Sequence, residues 1–150
     1  MTALLLVLIA CSPARMAKAR EDVDRAALGE AVAAYWKAAQ WNDVAGMSGF
    51  LARPEDQLLV AKVAASPVLR VTEGKVLQVV VGPELVVRKD RDRADLDAQW
   101  RVGTALVRVE AWGLADQRVT AETIEQAWTM GPRGWTVDTS RSPLDADRPW

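Results

Sequence analysis

The sequence predicts an α+β protein in which N-terminal helices pack on a curved, mainly antiparallel sheet. Before position 67, apolar residues recur at helical spacing. After it, they alternate or form β-branched runs, which are typical of strands. Glycine-bearing turns at 73–74 and 131–134 divide this second part into consecutive strands. Helices followed by consecutive strands indicate an α+β plan.

The first helix is expected to begin near Asp22 or Asp24, because either carboxylate can accept hydrogen bonds from the exposed N–H groups of a helix start. Four residues then recur at spacings of four, three and four, and they are Leu28, Val32, Tyr35 and Ala39. This spacing predicts one buried stripe on a helix that lies against a sheet.

Two shorter helices are expected next. Asp43 can cap a short helix whose apolar residues are Val44, Met47, Phe50 and Leu51. Pro54 suits the first turn of a third helix, because that turn needs no backbone donor from it. The third helix is predicted to run to about Ala65, where the Ser-Pro pair at 66–67 ends it.

The first strands are predicted from β-branched runs. Residues 68–72 and 75–81 form two such runs, and Glu73 with Gly74 between them predicts a tight hairpin turn. Residues 84–88 predict a third strand. The sheet is therefore expected to begin with a hairpin and continue without a return to helix.

Sharp alternation predicts the next strand, over residues 104–112. One face carries Ala105, Val107, Val109 and Ala111, and the other carries Leu106, Arg108, Glu110 and Trp112. Residues 119–130 and 135–138 predict the last two strands, joined by the turn at 131–134. The acids Glu110, Glu122, Glu125 and Asp138 are expected mostly on the solvated outer face.

The N-terminus carries an uncharged apolar run, residues 3–10, that ends at Cys11, the single cysteine of the chain. Leu8, Ile9, Ala10 and Cys11 together resemble a bacterial lipobox. The resemblance implies a signal peptide over 1–10 and a lipid on Cys11. Eight apolar residues rise only about 12 Å as a helix, against a hydrocarbon core of about 30 Å, so cleavage fits better than spanning.

Only Met1 and Thr2 precede that run, whereas a secretory leader normally opens with basic residues. An alternative therefore stays open: a structural or assembly subunit without a lipid, whose first ten residues form a contact or a short anchor.

The lipobox resemblance also implies a place in the cell. Residues 11–21 are expected to form a lipidated tether, because Ser12, Pro13 and Ala14 should break any helix. In lipoproteins of this kind an aspartate after the cysteine is associated with inner-membrane retention, and Ser12 stands there instead. The resemblance thus implies a bacterial envelope protein on the outer membrane, facing the periplasm. Residues 22–140 are the expected domain, and residues 141–150 a C-terminal tail.

Composition excludes several classes of function. The net charge of −1, from 19 basic and 20 acidic residues, offers no positive field for nucleic acid. The chain has no histidine, which removes Ser-His-Asp triads, Cys-His pairs and histidine metal sites. Asp90, Asp92, Asp95 and Asp97 lack the glycine and terminal glutamate of a calcium loop. No metal and no cofactor are expected.

Two stretches carry a family resemblance. Residues 35–50, YWKAAQWNDVAGMSGF, resemble the helix, turn and second helix of NTF2-like proteins, which include the ketosteroid isomerase and SnoaL-like groups. Residues 128–138, WTMGPRGWTVD, are similar to their closing hairpin. The resemblance implies an NTF2-like cone with a cavity between the first helix and the concave sheet.

The cavity implied by this resemblance suggests two kinds of function. As an enzyme of isomerase, dehydratase or cyclase type acting on a small apolar substrate, the chain would use Tyr35 as an oxyanion donor together with a carboxylate of the sheet. As a binding domain without turnover, it would hold a small apolar ligand or a protein partner, and this function is favoured. Candidate lining residues are Tyr35, Trp112, Trp128 and Trp135, although packing in the core or at an oligomer interface such as a homodimer is the favoured explanation for them.

Three further tryptophans are candidates for a contact surface. Trp41, Trp100 and Trp150 fall near element ends or the terminus, and where exposed they would mark a contact surface.

Overall fold

The computed structural model describes residues 12–65, 68–84 and 101–144. Within these ranges the chain forms three helices, which are α1 (Pro13–Gln40), α2 (Val44–Ser48) and α3 (Pro54–Ala65). Four strands come after them in the same ranges, namely β1 (Leu69–Glu84), β2 (Arg101–Gly113), β3 (Val119–Gly131) and β4 (Gly134–Val137). The strands pair antiparallel in the order β1-β2-β3-β4. The α+β prediction, with helices packed on an antiparallel sheet, is confirmed.

Helix α1 begins earlier than predicted, and the expected break at its start is wrong. The Ser12 side chain accepts a hydrogen bond from the backbone N–H of Arg15 at 3.3 Å, and Pro13 occupies the first helical position. A serine cap followed by proline is a helix start, because proline at that position lacks only an N–H that would be unpaired anyway. The predicted start near Asp22 or Asp24 is therefore wrong.

The N-terminal turns of α1 project from the core. Residues 12–20 are all exposed, and the first buried residue of the helix is Leu28. The predicted stripe is confirmed beyond that point, since Leu28, Val32, Tyr35 and Ala39 are buried together with Trp36. Residues 13–20, named the stalk, form an exposed extension of the helix that packs on the sheet.

The two shorter helices begin where predicted, but α2 ends at Ser48, so Phe50 and Leu51 lie beyond it. Asp43 caps α2, its Oδ1 accepting from the N–H of Gly46 at 2.9 Å. Helix α3 begins at Pro54 and ends at Ala65, and its predicted stop at 66–67 lies outside the described residues.

The hairpin predicted at Glu73 and Gly74 is wrong, because β1 runs through both residues as one strand paired with β2. The register shifts between Val71 and Glu73, a bulge that increases strand twist. Gly74 serves a different purpose: a Cβ there would lie 2.6 Å from the Cβ of Trp36. The glycine allows α1 to approach the strand. The predicted strand at 84–88 lies outside the described residues except for Glu84, which ends β1.

Strands β2, β3 and β4 agree with the predicted pattern. The face of β2 that carries Ala105, Val107, Val109 and Ala111 is buried beneath α1, as the alternation predicts. The turn at 131–134 joins β3 to β4, and Gly134 adopts a φ of 100°, which favours glycine.

We expect Gly74→Ala to lower the free energy of unfolding by about 1–3 kcal/mol, because the new methyl group overlaps the Trp36 Cβ, which moves only with the helix backbone. Gly29→Ala is the matched control within α1, since its Cβ would meet Val79 at an ordinary 3.9 Å. That variant should gain up to about 1 kcal/mol from helix propensity. Urea denaturation measures both, and equal stability for the two variants would contradict the close approach.

Candidate functional site

A cleft opens at the C-terminal end of α1, where α2, α3 and the start of β1 meet. Its volume is about 260 Å³, slightly below the usual range for ligand pockets. The residues that line this helical cleft are Ala39, Asn42, Met47, Val60, Val63, Ala64, Leu69, Arg70 and Val71. Five of them, Ala39, Met47, Val60, Val63 and Val71, are buried apolar residues of the core. The cleft thus has an apolar floor.

A local reversal of the chain forms one wall of the helical cleft. Asn42 has a φ of 55°, a left-handed conformation that asparagine tolerates well. Its Nδ2 donates to the carbonyl of Ala64 at 3.4 Å, and the N–H of Asp43 donates to Ala38 at 2.8 Å. The end of α3 is therefore tied to the end of α1.

A second, more open groove lies beside the helical cleft. It has a volume of about 400 Å³ and is lined by Gln40, Trp41, Arg70, Val71, Thr72 and Trp112. The Trp41 side chain is 72% exposed, and Trp112 is half-buried on the outer face of β2. Arg70 lies opposite Trp112 in the sheet register. This tryptophan groove shares Arg70 and Val71 with the helical cleft.

Tyr35 belongs to an aromatic cluster inside the core. Its ring makes edge-to-face contacts with Trp36, Phe50 and Trp128, at centroid distances of 5.6, 6.2 and 6.0 Å. Burial raises the pKa of the Tyr35 phenol, and the negative charge of Asp56 raises it further, so the hydroxyl stays neutral. Neither the helical cleft nor the tryptophan groove is lined by Tyr35.

The four residues predicted to share one pocket lie on two faces of the sheet, with Tyr35, Trp128 and Trp135 in the core and Trp112 outside it. Tyr35 and Trp128 are in contact, and the Trp128 indole N–H donates to Gln126 at 3.2 Å. Trp135 is buried in the same core, where a Cβ on Gly103, the register partner of Trp128, would lie 3.1 Å from its ring. Trp112 is on the opposite face of β2. Cys11, Trp100 and Trp150 lie outside the described residues.

The sheet acids divide between the two faces. Glu125 is paired with Leu106 and is exposed on the outer face, as predicted. Glu110 lies on the same face, with Arg108 at 3.1 Å. Glu122 is paired with Val109, so it lies on the inner face, contrary to the prediction.

Asp56 forms a buried polar cluster that sequence reasoning missed. Its carboxylate accepts hydrogen bonds from Arg53 Nε at 2.7 Å and from the Thr139 hydroxyl at 2.6 Å. Burial acts to raise the pKa of the Asp56 carboxyl, but the bonds from Arg53 and Thr139 outweigh it and hold the pKa below its usual value. The cluster joins α3 to the segment after β4. The sequence could not predict this cluster, because an acid in the first turn of a helix, such as Asp56, does not indicate a partner as far along the chain as Thr139.

No protein-family profile, no curated protein and no solved structure matches the chain. The class of the protein is therefore described by its architecture. Among the described residues there is no group of acids or cysteines that could hold a metal ion. None of the described helices is long and apolar enough to cross a membrane. The chain is an α+β protein with a helix packed across an antiparallel sheet.

We expect the free energy of unfolding to fall as the pH drops below about 4. A pKa that is lower in the folded state stabilises the fold above the unfolded pKa, and this stability is lost as the pH falls through the folded pKa. Asp56→Asn should lower the free energy of unfolding by about 1–2 kcal/mol at pH 7. It should also make the decrease in that free energy at low pH, the acid limb of the stability curve, less steep. Urea denaturation at pH 7 and pH 3 measures both effects.

Glu55→Gln is the matched control, since Glu55 is the neighbouring acid of α3 but is 65% exposed and 3.6 Å from Arg53. It should leave the pH dependence nearly unchanged. Asp138, whose pKa is also lowered, keeps part of the acid limb in either variant. An acid limb identical in Asp56→Asn and in the unmodified chain would refute the role of Asp56.

Proposed function

We propose that the protein is a lipid-anchored protein of the bacterial envelope whose domain binds a small apolar ligand or a partner without turnover. The observation that carries the binding function is the helical cleft, an opening into the apolar core beside the exposed Trp41. Largely preformed apolar concavities are the usual sites for small ligands. A cone of NTF2-like plan remains part of this proposal.

The placement of Tyr35 favours binding over catalysis. An oxyanion donor must reach the reacting atom of a substrate. Tyr35 is fully buried against three aromatic rings, and its ring lines neither cleft.

The lipid-anchor half of the proposal rests on the lipobox-like residues and on the helix start beside them. Ser12 caps α1, and the stalk that begins at Pro13 carries Arg15, Lys18 and Arg20 with no acid. Cations close to a lipid anchor strengthen attachment to anionic headgroups. A capped helix beside Cys11 would hold the domain away from the bilayer.

We expect the mass of the membrane-extracted protein to match a chain that begins at Cys11 and carries acyl groups. Cys11→Ala should abolish both the cleavage and the membrane association, because lipidation needs the thiol. Mass spectrometry and membrane fractionation measure the two effects, and outer-membrane recovery is the expected location. A mass equal to the unmodified 150-residue chain would identify a subunit without a lipid instead.

We expect Ala64→Phe to weaken the binding of 1-octanol at least about tenfold, because the new ring fills the helical cleft where Ala64 lines it. Ala65→Phe is the matched control, since Ala65 is the next residue of α3 and is exposed outside the cleft lining. Calorimetric titration of the full chain measures binding, and circular dichroism verifies that both variants fold. Equal binding by both variants would show that the helical cleft is not the site.

A further inference from the structure

We infer that the ligand of the helical cleft is an anionic amphiphile, with its apolar tail in the cleft and its anionic head at Arg70. This inference rests on the proposed binding function and adds the chemical class of the ligand. The head can be a carboxylate or a phosphate, since both present oxygens to a guanidinium in the same way.

The charge distribution carries the inference. Arg70 is the one charged residue among the described residues that line the helical cleft or the tryptophan groove. It makes no ion pair with any residue in the described ranges. A guanidinium with no carboxylate partner in the described ranges, beside a cleft whose described lining holds no acid, is complementary to an anion with an apolar tail.

The position of Arg70 agrees with a ligand whose tail lies in the helical cleft and whose head lies at the rim of that cleft. Arg70 lies on the lining shared by the two clefts, next to Val71, which belongs to the apolar floor. Arg70 is paired with Trp112 on the outer face of the sheet, so a tail in the helical cleft would bring its head over the start of β1 to this shared rim. On the far side of Arg70, Trp41 and Trp112 line the groove with indole rings, which suit the boundary between apolar chain and water.

Three probes of equal chain length test the class of head group: octanoate, 1-octanol and octylammonium, each titrated into the full chain carrying Cys11→Ala. Octanoate should bind about threefold to tenfold more tightly than 1-octanol, and octylammonium more weakly than either. Added salt should reduce only the advantage of octanoate. Hexanoate should bind more weakly than octanoate by about fourfold for each methylene removed.

Arg70→Gln should remove the preference for octanoate and leave the binding of 1-octanol unchanged. Arg118→Gln is the matched control, because Arg118 is an exposed cation that lines neither cleft. Equal affinity for octanoate and 1-octanol, unaffected by Arg70→Gln, would overturn the anionic class and leave the binding function intact. Binding of none of the three probes would overturn both.

Discussion

The contact between Trp36 and Gly74 is the constraint on which the arrangement of α1 and the sheet depends. Because β1 has no side chain at Gly74, the Trp36 Cβ can lie 2.6 Å from the place that a Cβ of the strand would occupy. This approach brings the neighbouring Tyr35 into the ring cluster with Phe50 and Trp128. It also holds the end of α1 beside the start of β1, which is where the helical cleft forms.

Local periodicity is what the sequence reveals reliably about this fold. The stripe from Leu28 to Ala39 and the alternation of β2 arise from the spacing of neighbours, so both could be predicted. Gly74 could not, because its partner Trp36 lies far earlier in the chain and nothing local separates a close approach from a turn. The start of α1 could have been predicted from the sequence, because Ser12 followed by Pro13 is a pattern that caps helices as well as one that breaks them.

The candidate site also combines features that the sequence could predict with features that it could not. The alternation of β2 already assigns Trp112 to the face opposite Val107, so the sequence itself separates Trp112 from a pocket on the core side. The helical cleft could not be predicted, because it is built from four segments whose meeting depends on the reversal at Asn42. The role proposed for Arg70 could not be predicted either, because an arginine that alternates with apolar residues on a strand is usually only exposed to solvent.

The unbroken course of α1 has a consequence for how the cleft would exchange its ligand. Its 28 residues span about 42 Å, with the stalk at one end and the helical cleft at the other. With Cys11 held in a bilayer, as proposed, an upright α1 would place the cleft well beyond the headgroups of that leaflet. An amphiphile would then enter from the aqueous space or from an opposing surface, and lateral capture from the host membrane would be excluded by distance.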